Sequence, residues 1–274
     1  MSDAADSARR LLLVRLSAIG DLVFASPLIS SARRRYPTAH LAWLVQPECA
    51  PMLRHHPDLD EVIEWPLGRW RRLGRERRLA ALAREVSAAV DALRQRRFDL
   101  AIDLQGLLKS ALPARLCGAA ERIGLGSREG GGLLMTRVVG RGPNSHEISS
   151  EYRHLAERLG WPTDGFRQRV YPGVEAEQEA AALLSRYGLD NGYAVLCPFT
   201  TRPQKHWVEQ RWALLAEQML ERFSLPSVML GGPGDVDAAR SIATGCPDAM
   251  VNLVGKLLKQ MAFDLRIQTH RLLE

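Results

Sequence analysis

Tyr193-Ala194-Val195-Leu196, followed by Pro198-Phe199-Thr200-Thr201-Arg202-Pro203-Gln204-Lys205-His206-Trp207, is the stretch that decides the fold. The first four residues form a short apolar run of the kind a buried strand makes. Residues 208–222 have helical periodicity. Thr200, Thr201 and Lys205 therefore fall on a strand-to-helix loop, where α/β proteins hold phosphate groups. The pattern recurs near the N-terminus: Leu11-Leu12-Leu13-Val14-Arg15 runs into Ser17-Ala18-Ile19-Gly20-Asp21, and a helix follows. Two strand ends with complementary chemistry point to two similar domains and a cleft between them.

Strand and helix signals alternate outward from these two loops. Strands are expected at 11–15, 41–45, 61–65, 98–103, 122–124, 193–196, 227–230 and 250–253. Helices are expected at 21–36, 75–96, 107–117, 146–159, 175–187, 208–222, 236–243 and 256–266, with a short one near 49–55. Such alternation argues for parallel sheets joined by crossovers. Gly, Pro and polar residues crowd 160–173, the best linker candidate. The expected domains are 1–165 and 166–274, both Rossmann-like. The second offers only about three strands, few for an open sheet.

The chain has 274 residues, 46% of them hydrophobic, and a formal charge of +6. That supports real cores and excludes a disordered chain. The positive excess suits an anionic partner, whether phosphorylated substrate, acidic membrane surface or nucleic acid; a generally Arg-rich composition would give the same excess. Cys49, Cys117, Cys197 and Cys246 lie far apart and show neither metal spacing nor a disulfide framework, so a reducing compartment is expected. Residues 1–10 are polar, and the apolar run behind them is short and interrupted by Arg15, unlike a signal peptide or a membrane span.

Four groups of residues carry candidate chemistry. Asp21 is either a helix-start carboxylate favoured by the macrodipole or a general base at a cleft mouth; no G-x-G-x-x-G accompanies it. Thr200, Thr201 and Lys205 suit a diphosphate, the lysine neutralising charge that grows on a leaving phosphate; the plain alternative is a solvated turn. Lys205 is expected to open a helix, where a cation opposes the dipole unless an anion is bound. Arg69-Trp70-Arg71-Arg72-Leu73-Gly74-Arg75-Glu76-Arg77-Arg78 is a strong positive patch. It could bind carboxylate or phosphate bidentately, with Trp70 stacking on a base or sugar, or be a solvated helix start. No nucleic-acid motif is visible, so an anionic small or lipid-borne substrate ranks above nucleic acid. Finally, Gln105 and Lys109 in Asp103-Leu104-Gln105-Gly106-Leu107-Leu108-Lys109-Ser110 can face the cleft, with Asp103 as a helix cap. The histidines show no zinc pattern.

Together these pieces resemble the lipopolysaccharide heptosyltransferases of glycosyltransferase family nine, type I more than type II, over roughly residues 11–255. The resemblance implies a GT-B fold, two Rossmann-like domains facing a cleft. The N-terminal one would bind acceptor and the C-terminal one nucleotide sugar. It implies an inverting, metal-independent enzyme without a cofactor, using an ADP-L-glycero-D-manno-heptose donor and the Kdo of Kdo2-lipid A as acceptor. Such an enzyme is expected in the cytoplasm, peripheral at the inner membrane. Asp21 matches the family's base and Lys205 its partner in catalysis. Ile19, Gly20, Thr200, Thr201, Lys205 and, more loosely, Asp235 match donor contacts. Arg69, Arg71, Arg72, Lys109 and Arg128 fall on or beside acceptor contacts. Family members also carry Asp-Thr/Ser-Gly…His beyond the region of Leu253, and residues 257–274 do not. The expectation is a truncated second domain with an incomplete donor site, its tail marginally packed. The alternative function is a non-catalytic, anion-binding remnant of such an enzyme.

Overall fold

The computed structural model describes residues 9–143, 146–200 and 203–255. They fall into two compact units, divided after Tyr171.

The first unit is built on a six-stranded parallel sheet. In chain order its elements are β1 (Arg10–Val14), α1 (Ile19–Ala25), α2 (Pro27–Arg35), β2 (His40–Val45), β3 (Glu61–Glu64), α3 (Leu67–Arg75) and α4 (Leu79–Gln95). Then come β4 (Leu100–Asp103), α5 (Leu108–Leu116), β5 (Glu121–Leu125), β6 (Arg137–Val139) and α6 (Ser150–Arg158). The strand order is β3-β2-β1-β4-β5-β6, every pair parallel. This is the doubly wound order whose direction reverses between β1 and β4, and ligands bind outside the carboxyl ends of the strands at that point.

Strand alternation explains the layers. Leu11 and Leu13 face a core shared with Leu22, Leu28, Ile29, Tyr152 and Leu155, from α1, α2 and α6. Leu12 and Val14 face the opposite core, shared with Trp70, Leu73, Val90, Leu93 and Ala114, from α3, α4 and α5. All four β1 side chains are fully buried, each contributing about 1.5–3 kcal/mol by removal from water. Trp161 and Phe166, in the stretch without helix or strand that ends the unit, also enter the first core.

Two expected helices are divided. The one expected at 21–36 is two, because Pro27 has no N–H to continue α1 and starts α2 instead. The one expected at 75–96 begins at Leu67 and breaks at Arg77, whose φ is +55°. The helix expected from 146 begins only at Ser150. Strand β6 has no counterpart in the expectations.

The second unit contains α7 (Val174–Arg186), β7 (Ala194–Leu196), α8 (Glu209–Phe223), β8 (Ser227–Met229), α9 (Val236–Thr244) and β9 (Met250–Asn252). Its three described strands are parallel in the order β7-β8-β9. Leu196, Met229 and Met250 meet α8 and α9 on one face; Val228 and Leu230 meet Leu184 and Leu189 on the other. The helix expected at 256–266 and the expected loose tail lie outside the described residues. No described helix is long and apolar enough to cross a membrane. All four cysteines are free.

Candidate functional site

At the switch point of the first unit, the loop after β1 meets the loop after β4. Asp21 is the third residue of α1. Its Oδ2 accepts the Ala18 N–H at 3.2 Å and pairs with Arg15 Nη2 at 2.6 Å. The carboxylate is 45% exposed, and no described residue bonds its Oδ1. Arg15 is buried. Its Nη1 donates to the Leu104 carbonyl at 2.8 Å, and its guanidinium carbon lies 5.9 Å from the centre of the Tyr152 ring.

The β4 loop is a rigid turn, and its sequence explains why. Asp103 is 1% exposed, and its Oδ1 accepts the N–H groups of Gln105 at 3.0 Å and Gly106 at 3.2 Å. Burial pushes the Asp103 carboxyl up, against hydrogen bonds from Ser110, Gln105 and Gly106 that favour the anion. Gly106 has φ +69°, and a Cβ there would sit 2.5 Å from the Leu125 carbonyl oxygen and 2.6 Å from that of Gly126; only glycine fits. Gln105, expected to be able to face a cleft, turns inward instead. It is buried, its Oε1 accepts the Leu16 N–H at 3.1 Å, and its carbonyl accepts from Arg141 Nη2 at 3.1 Å. Arg141 in turn pairs with Glu151 on α6.

Of the expected acceptor residues, Lys109 is half-buried in the first turn of α5 and Arg128 is exposed, its backbone N–H held by the Gly106 carbonyl at 2.7 Å. Both therefore sit beside the β4 turn. Arg69, Arg71 and Arg72 are exposed on α3. Arg69 is forked onto Glu85 of α4 at 2.8 and 2.7 Å, and that bond holds the Glu85 carboxyl below its ordinary range. Arg72 lies 3.9 Å from Glu76. Trp70 turns inward rather than toward a stacking partner at the surface. It is 7% exposed and packs edge-on against Trp65, with ring centres 4.7 Å apart. Trp70 and Leu73, three apart, form the inward face of α3, which leaves the arginines outside. Ile19 packs against the first core and Gly20 is exposed.

In the second unit, the loops after β7 and β8 touch. A Cβ on Gly231 would lie 2.6 Å from the Phe199 ring. The Thr200 carbonyl is 2.7 Å from His206 Nε2. Lys205 is exposed at the end of a single 3-10 turn, Pro203–Lys205. It does not open the helix: α8 starts at Glu209, with Val208 as cap. The Lys205 charge is paired with no described carboxylate. Asp235 closes its own turn, its Oδ2 accepting the Gly232 N–H at 2.8 Å. Thr201 lies outside the described residues. Among the described residues no three His, Cys, Asp or Glu side chains group as metal ligands.

The family model for glycosyltransferase family 9 (heptosyltransferase) matches residues 86–266. The chain belongs to glycosyltransferase family 9. A similar curated relative is lipopolysaccharide heptosyltransferase 1 of Pseudomonas aeruginosa, 30% identical over 255 residues, which are 88% of this chain and 66% of the relative. Lipopolysaccharide heptosyltransferase 2 of Escherichia coli is 26% identical, over 85% of this chain and 66% of its own length. The family-9 chain therefore spans about two thirds of the length of these relatives. Among solved structures, a family 9 glycosyl transferase from Veillonella parvula shares the fold, with TM-score 0.74, 20% identity, 91% of this chain and 71% of that one. Escherichia coli heptosyltransferase WaaC with ADP-2-deoxy-2-fluoro heptose matches with TM-score 0.67 and 27% identity, over 89% of this chain and 76% of that one.

Sequence alone assigns no role to Arg15 or Arg141. Arg15 has one signal, a lone cation closing an apolar strand at its carboxyl end. Arg141 has none, since its partners are a backbone carbonyl, of Gln105, and Glu151 of α6.

Proposed function

We propose that this family-9 chain is a heptosyltransferase of the lipopolysaccharide inner core. It moves L-glycero-D-manno-heptose from ADP-heptose to the Kdo of Kdo2-lipid A with inversion at the anomeric carbon. The first unit binds acceptor and the second nucleotide sugar. A Kdo hydroxyl oxygen attacks C1 of the heptose, the bond from C1 to the ADP oxygen breaks, and ADP leaves with the electron pair. Asp21 takes the hydroxyl proton, a step that contributes about 10²–10⁴-fold. Lys205 and Thr200, with Thr201, Ile19, Gly20 and Asp235 as further donor contacts, face the diphosphate and ribose; the lysine offsets charge on the departing ADP. Arg71, Arg72, Lys109 and Arg128 meet the anionic acceptor, with Arg69 joining if it leaves Glu85. The enzyme works in the cytoplasm against the inner membrane surface, where its acceptor is anchored.

The observation that carries this reading is the placement of Asp21. It is a half-exposed carboxylate with one oxygen tied down, at the switch point of a doubly wound sheet. The identity to heptosyltransferase 1 of Pseudomonas aeruginosa, 30%, against 26% to heptosyltransferase 2 of Escherichia coli, supports the type 1 reading. Incubation with ADP-heptose and Kdo2-lipid A should release ADP and add the mass of one heptose to the lipid. ADP binding without either product would instead favour a non-catalytic anion-binding chain.

A further inference from the structure

We propose that Arg15 is the positioning residue for Asp21, fixing the carboxylate so that Oδ1 is the oxygen that takes the acceptor proton. The inference rests on the reading of Asp21 as the base.

An arginine this deep is costly. Arg15 is 7% exposed immediately after the buried run Leu11–Val14, and its Nε is buried with no described hydrogen-bond partner. Packing alone would be met by a methionine or leucine at less desolvation cost. What the guanidinium does instead is join the two loops at the switch point. Nη1 grips the Leu104 carbonyl of the β4 loop, Nη2 grips Asp21, and the face of Tyr152 backs the cation. The neighbouring Leu16 N–H is held by Gln105 and the Arg15 carbonyl by Trp43 Nε1 at 3.2 Å, so the arginine is anchored at its backbone on both sides.

The consequence falls on the two carboxylate oxygens. Oδ2 accepts from Arg15 and from the Ala18 N–H, while Oδ1 has no described partner. Donors occupy the lone pairs of Oδ2 and leave those of Oδ1 open to a substrate hydroxyl. The two donors that converge on Oδ2, Arg15 Nη2 and the Ala18 N–H, also oppose rotation of the carboxylate about its bond to Cβ. The proton from the attacking hydroxyl then goes to Oδ1, in a carboxylate already aligned.

The test compares Arg15→Met, which keeps the packing of the stem, Arg15→Lys, which keeps the cation, and Arg15→Ala, which leaves a cavity. In heptose transfer, Met and Ala should lower kcat by about 10–100-fold, the effect of about 1 Å of misplacement. The acceptor KM should stay within about threefold. Lysine should recover part of the loss, and added guanidinium should raise the activity of the alanine variant but not of the methionine one. A merely structural role predicts no such rescue. A crystal structure of Arg15→Met should show the Asp21 carboxylate turned and its contact with the Ala18 N–H lost. An unmoved carboxylate in that structure overturns the proposal, whether or not transfer can be measured. So does full activity of Arg15→Met beside an inactive Asp21→Ala, an outcome that leaves the base reading intact. Full activity of Asp21→Ala would sink the base reading itself.

Discussion

Gly106→Ala perturbs the turn that supports Asp21 without touching Asp21. Its cost has two parts. An L-residue held at φ +69° loses about 1–2 kcal/mol to crowding between its Cβ and backbone. The Cβ also lies 2.5 and 2.6 Å from two carbonyl oxygens, of Leu125 and Gly126. These are backbone atoms of β5 and the residue after it, so they cannot swing aside as a side chain would, and overpacking of this kind costs about 1–3 kcal/mol. The total is about 2–5 kcal/mol. For a unit of this size 1 kcal/mol moves Tm by about 2–4 °C, so the transition of the first unit should fall by roughly 5–20 °C. The control is Gly20→Ala. Gly20 lies inside α1, and a Cβ there meets nothing within 4 Å, so alanine should be neutral or stabilise by up to about 1 kcal/mol. Both variants are followed by circular dichroism and differential scanning calorimetry. If Gly106→Ala melts within about 2 °C of the parent, the β4 turn yields to its neighbours, and the rigid platform described for Gln105 and Arg15 is refuted.

Acid should destabilise the first unit through His56. Burial pushes this imidazole down to about 4 from the ordinary 6.5, with Asp58 opposing and Arg169 reinforcing. The unfolded chain therefore binds a proton that the folded one refuses as pH falls from 6.5 toward 4, and about 3 kcal/mol of stability is lost over that window. The loss of urea stability between pH 7 and pH 5 should be smaller in His56→Phe, which keeps the edge contact with Tyr171; equal losses would count against it. Replacing Arg71 and Arg72 together with Ala should raise the acceptor KM and leave the donor KM unchanged, whereas a rise confined to the donor would assign the patch to the wrong substrate. Lys205→Ala should lower kcat by about 10²-fold or more, with correct folding checked by an unchanged melt. Retention of activity there would remove the lysine from the leaving-group role.

The two sheets are legible in the sequence because their strands are short apolar runs separated by helices of clear period. Leu11–Val14 is buried on both faces and reads as an unbroken apolar segment. What escaped reading was decided by tertiary context. β6 has three residues, two of them exposed, so it shows neither alternation nor an apolar run. The breaks at Pro27 and Arg77 leave the hydrophobic period intact while turning the chain. The sequence leaves Trp70 free to stack on a ligand or to pack; α3 turns it inward against Trp65, with Arg69, Arg71 and Arg72 outside. At the candidate site, Asp21 and Lys109 stand out in the sequence because each follows a strand at the start of a helix, whereas Arg128 is reached only through the family resemblance. The fork of Arg69 on Glu85 was not visible, since it joins residues sixteen apart across two helices.

The most direct test of the account is heptose transfer by this chain beside its Asp21→Ala variant, followed by ADP release and by the mass of Kdo2-lipid A. The account predicts transfer by the parent and loss of at least about 10²-fold in the variant, with ADP bound equally by both. A variant that keeps more than about a tenth of the parent rate would contradict the assignment of Asp21 as the base.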